Sequence, residues 1–65
     1  MFDNLSRGTL VRLSDESIFL IKCLVMEYHS GEEVPCYLGL RYFNGVDYHT
    51  SRCYTNQIES IIEEN

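Results

Sequence analysis

The chain has 65 residues, 45% of them hydrophobic, with ten acidic and five basic side chains and a formal charge of −5. It is about half the length of a common domain, so a single small domain spanning residues 1–65 is expected, and a multi-domain or cofactor-wrapping enzyme is excluded. A chain this short buries only roughly 60% of its unfolded surface, and a partner or a staple would add to a thin core.

Charge and cysteines narrow the classes further. A general nucleic-acid binder groups Lys and Arg against the phosphate backbone; here Arg7, Arg12, Lys22, Arg41 and Arg52 are scattered. The longest apolar stretch, residues 18–26, is interrupted by Lys22 and is too short for a helical membrane span. Residues 1–4 lack the basic start of a secretory leader. Cys23, Cys36 and Cys53 are odd in number and far apart, which points to free thiols in a reducing cytoplasm. One disulfide plus one free cysteine is the alternative. Only 23% of residues are charged, and five tyrosines and three phenylalanines argue against disorder.

In chain order, residues 9–13 read as a short half-buried strand with Val11 and Leu13 on one side. Residues 14–17 are polar and turn-like. Residues 18–28 are rich in Ile, Leu, Val and Phe and apolar on both faces, which fits a long bent strand; a helix of about three turns is the rival. Residues 29–35 read as an exposed hairpin loop, with Gly31 free to take positive φ and Pro35 ahead of the next strand. Residues 36–43 alternate, with Leu38, Leu40 and Tyr42 assigned inward and Gly39 marking a bulge, a bend or close backbone packing. Asn44-Gly45 carries a type I′ hairpin signal, returning through a strand over residues 46–54. At the end, Asn56 and Glu59 have the spacing of a helix N-cap and its acidic partner. The other reading is a 3₁₀ turn followed by a closing strand over residues 60–63.

The expected fold is therefore all-β, a small five-stranded SH3-like antiparallel barrel; the alternative is a curved antiparallel sheet with a short C-terminal helix. This is a likeness of architecture alone and leaves function open. The expected core is Val11, Leu13, Ile21, Cys23, Val25, Leu38, Leu40, Tyr42, Ile58 and Ile61.

Several constellations bear on chemistry. Asp47, His49, Ser51 and Cys53 share a strand face, but residues two apart on a strand stand too far apart for a proton relay, and no nucleophile elbow is present. His29, His49 and the three cysteines include no close pair of the kind zinc sites use, so no metal and no cofactor are expected. No phosphate loop, dinucleotide fingerprint, EF-hand or zinc-protease motif occurs. The chain is thus read as non-enzymatic.

The aromatic residues carry more information. Tyr37 and Phe43 share a strand face with Arg41, and Tyr48 and Tyr54 share one with Arg52 on the next strand. If both sets point outward, Tyr37, Arg41, Phe43, Tyr48, Arg52 and Tyr54 form an aromatic-basic interaction patch; the competing reading is that most of the tyrosines are core. The expected function is a small acidic protein-interaction or accessory module, with a protein partner or self-association, no membrane, and no direct nucleic-acid binding. A small-barrel nucleic-acid binder and an acidic inhibitor of a nucleic-acid-binding cleft are the alternatives.

Overall fold

The computed structural model describes residues 2–43 and 49–65. Five antiparallel strands form one sheet: β1 (Leu10–Leu13), β2 (Ile18–His29), β3 (Glu32–Tyr42), β4 (His49–Tyr54) and β5 (Ile58–Glu63), in spatial order β4-β3-β2-β1-β5. The sheet is not closed into a barrel. Residues 18–28 are strand, as their β-branched and aromatic content favours. The Asn44-Gly45 turn lies outside the described residues.

Each connection among the described residues has a local cause. Between β1 and β2, Glu16 N–H donates to Leu13 O at 2.9 Å and Leu13 N–H to Ser17 O at 2.9 Å. Asp15 Oδ1 accepts from the Ser17 backbone N–H at 2.9 Å and from the Ser17 hydroxyl, a local turn typical of Asp. Between β2 and β3 the turn is tighter than residues 29–35 led one to expect. Ser30 and Gly31 both take positive φ, 54° and 83°, the pair a type I′ turn requires. The strands therefore run on to His29 and from Glu32, and Pro35 lies inside β3. Because β4 ends at Tyr54, opposite Cys36, Pro35 sits where β3 has become an edge, the place in a sheet that tolerates a residue without an N–H.

The C-terminal segment is a 3₁₀ turn, Thr55–Gln57, followed by β5. Gln57, not Asn56, makes the capping contact, its Oε1 accepting from Tyr54 N–H at 2.8 Å. Asn56 and Glu59 do not open a helix. Ile58 pairs with Leu13 and Ile61 with Val11, and those sheet partners are available where a helix this short is marginal.

The core is Val11, Leu13, Phe19, Ile21, Tyr37, Cys53 and Ile58, with Phe2 and Leu5 packed against it. Four of the expected core positions hold: Val11, Leu13, Ile21 and Ile58. The others are corrected by three features. A bulge lies between Ile21, paired with Gly39, and Cys23, paired with Leu38. One extra residue on β2 reverses the side-chain parity, so Cys23 is exposed and Val25 leaves the core face. In β3 the core face is that of Tyr37 and Gly39, while Leu38, Leu40 and Tyr42 are half-buried on the other face. Gly39 explains this choice. A Cβ there would lie 1.9 Å from Leu20 O and 3.1 Å from Phe19 Cε2, so the missing side chain is what lets strand and ring close in. Ile61 is exposed because β5 is an edge strand.

Tyr37 joins the core to the N-terminal segment. Its hydroxyl donates to Phe2 O at 2.8 Å and accepts from Leu5 N–H at 3.0 Å. Two outcomes follow. Gly39→Ala destabilises the fold by about 2–3 kcal/mol through overpacking against backbone, and Tyr37→Phe by about 1–2 kcal/mol through two orphaned backbone groups. Urea unfolding followed by circular dichroism measures both.

Candidate functional site

The structure separates the expected aromatic-basic patch into parts. Tyr37 is fully buried and its hydroxyl is engaged as above, so it presents no surface; its apolar ring fills space that a chain without tryptophan has few other residues to fill. Residues opposed in an antiparallel pair point to the same side. Arg41 pairs with His49, on the side of Tyr37. Its guanidinium lies over the Phe19 ring, 6.0 Å from the centroid, and donates to Asp15 Oδ2 at 3.2 Å and to Arg52 O at 2.9 Å. Arg52 and Tyr54 pair with Leu38 and Cys36 and so lie on the opposite face. Phe43 is exposed just beyond β3. Tyr48 lies outside the described residues.

Arg52 and Tyr54 instead converge on Glu27. Tyr54 donates its hydroxyl to Glu27 Oε1 at 2.8 Å, His29 Nε2 lies 2.9 Å from the same oxygen, and Arg52 Nη1 is bonded to Glu27 Oε2. The His29 and Tyr54 rings meet edge to face at 5.5 Å and 72°. Beside them, His29, Val34, Tyr54, Thr55 and Asn56 line a cavity of about 290 Å³. The hydrogen bonds from Tyr54 and His29, and then the Arg52 charge, hold the Glu27 carboxyl below the usual carboxylate range. The same Glu27 contact pushes the Tyr54 phenol up. A carboxylate that prefers its charged form and a phenol that prefers to keep its proton are poor proton shuttles at neutral pH. The arrangement works as a clamp between β2 and β4 across the intervening β3.

Among the described residues, no three His, Cys, Asp or Glu side chains come together as a metal-holding group. Cys53 and Cys36 are buried and Cys23 is exposed, all with free thiols. His49 and Cys53 share the face of Tyr37 with Ser51 between them, while Asp47 lies outside the described residues.

The feature the sequence reading missed is an arm. β1 pairs with β2 only from Ile18 to Leu20, its last bonds to β2 being Gly8 N–H to Ile21 O and Ile21 N–H to Thr9 O. Beyond Ile21, β2 pairs only with β3 among the described residues. The β2–β3 hairpin thus projects from the sheet, in a molecule of 37 × 21 × 18 Å. After the bulge, Leu24, Met26 and Tyr28 lie on the side of Tyr37 and Pro35. They are 39%, 53% and 71% exposed, a rising apolar stripe toward the tip. The available signal was the mismatch between an eleven-residue run over 18–28 and a first strand far too short to cover it.

No family model, curated protein or solved structure matches the chain.

Two measurements probe these environments. Asp15 also ionises more readily in the folded state, through its bonds to Ser17 and then the charge of Arg41. Stability from Asp15 and Glu27 is therefore complete above the ordinary carboxylate range and is lost as pH falls through their lowered values. Urea midpoints should fall on acidification, and less so in Glu27→Gln. Burial pushes the Cys53 thiol up to about 11 and raises Cys36 as well. A disulfide reagent at neutral pH should find one fast thiol, removed by Cys23→Ser, and two that react only on unfolding.

Proposed function

We propose that this chain is a small non-enzymatic protein-interaction module of SH3-like design that engages its partner through the β2–β3 arm. The strand order, with a 3₁₀ turn between β4 and β5, supports the SH3-like reading. The observation that carries the interaction reading is the stripe of Leu24, Met26 and Tyr28. Leu24 borders the core opposite Tyr37, but Met26 and Tyr28 are more than half exposed on the same face of the projecting hairpin, and contiguous exposed apolar surface of this kind marks a contact site.

The arm also carries Glu32 and Glu33, both exposed near its tip, so the matching surface is apolar with basic groups at its margin. Nucleic acid is disfavoured as the partner. Arg41 is tied to Asp15 and Arg52 to Glu27, which removes two of five cations from a phosphate-binding role. Three free thiols support a reducing, cytoplasmic setting.

A photo-cross-linking residue placed at Met26 or Tyr28, in cells making the full chain, should form adducts with protein, while one at Glu59 should not. The adducts should disappear in Leu24→Ser. Labelled DNA and RNA oligonucleotides should show no anisotropy change at physiological salt. Absence of adducts at both arm positions, or salt-sensitive micromolar binding to oligonucleotides, would overturn the reading.

A further inference from the structure

The apolar stripe is only half of what the arm offers. The β2 margin facing away from β3 is an unpaired strand edge beyond Ile21 among the described residues. An open edge with an apolar face is a template for another strand. What kind of strand it selects follows from the charges along it. At the root of the arm stand Lys22, at the bulge, and Arg7, in the turn whose next residue bonds to Ile21; both are exposed. At the tip stand Glu32 and Glu33. The arm is basic at one end and acidic at the other, with apolar side chains between.

A segment that runs antiparallel, with its own acidic tip against the basic root, matches this layout, and the arm itself is such a segment. Resting on the reading of the arm as an interaction site, we propose that its partner is a second copy of this chain, the two β2 edges pairing antiparallel about a two-fold axis. One register brings the apolar stripes of the two copies together on one face. With Val25 opposite the partner's Val25, Leu24 lies opposite the partner's Met26, and symmetry repeats that contact. The two apolar stripes then merge on one face. Lys22 lies opposite the partner's Tyr28, whose neighbour across the hairpin is the partner's Glu33, so the root charge meets an aromatic ring and a carboxylate. Because the interface is isologous, it closes at two copies.

Sedimentation equilibrium over a micromolar concentration series gives the test. The wild-type chain should show a reversible monomer–dimer equilibrium that weakens as salt rises. Lys22→Glu should raise the dissociation constant about tenfold, since symmetry counts each altered contact twice. Glu33→Lys should act in the same direction, and the two changes combined should restore dimerisation. Met26→Asp should leave a monomer with unchanged circular dichroism. A wild-type chain that stays monomeric throughout would overturn the proposal, as would assembly beyond the dimer or failure of the double variant to rescue. The interaction reading has a separate fate. Cross-links from Met26 to a different protein, with a monomeric chain in the centrifuge, would sink the second-copy partner and leave the arm as an interaction site. Absence of any cross-link would sink both.

Discussion

Everything else in this structure depends on the one extra residue in β2, between Ile21 and Cys23. Before it, Phe19 and Ile21 face the core. After it, the same alternation would carry Cys23 and Val25 inward, but the bulge shifts the ladder by one, and Leu24, Met26 and Tyr28 take the core side instead. By then the strand has passed the end of β1, and beyond Leu24, which stands opposite Tyr37, its partners in β3 are no longer core residues. A single insertion therefore both closes the core and exports an apolar face beyond it.

The core compensates for its small size by using groups that do more than fill space. Tyr37 is the largest fully buried side chain among the described residues, and its hydroxyl fastens two backbone groups of the N-terminal segment that packs over it. Thr9 and Ser17 are buried as well, at the ends of the segments that frame β1. At the C-terminal end, Asn65 donates its side-chain amide to Arg7 O at 2.9 Å and Ser6 donates its hydroxyl to Asn65 O. Ser14 N–H donates to Gln57 O at 2.9 Å, so the β1–β2 turn and the 3₁₀ turn hold each other. An open sheet is thus tied at several points by bonds between segments distant in sequence.

Much of the fold was legible because it rested on short-range chemistry. The strand character of residues 18–28, the polar turn at 14–17, the positive φ of Gly31 and the constraint at Gly39 each follow from a residue type and its neighbours. The choice of face in β3 was not legible. Leu38, Leu40 and Tyr42 form the more regular apolar alternation, yet the side with Tyr37 and Gly39 won, because Phe19 needs the space that only a glycine leaves. The interaction patch failed for a related reason. Its members were grouped strand by strand, whereas the register sets Arg52 and Tyr54 against Leu38 and Cys36, across the sheet from Arg41. Glu27, singled out by no pattern in the sequence, gathers Arg52 and Tyr54 from β4 and His29 from its own strand, because the register brings β4 within reach of β2 across β3.

Pro35 gives the arm a direction. A hairpin with two open margins would offer hydrogen-bonding backbone on both sides and could seed an unlimited stack of strands. Beyond the end of β4, the β3 margin contains a residue that has no proton to donate, and the chain there cannot serve as a continuous template. Within the arm, strand addition is thereby directed to the β2 margin, and the hairpin can be extended on one side only.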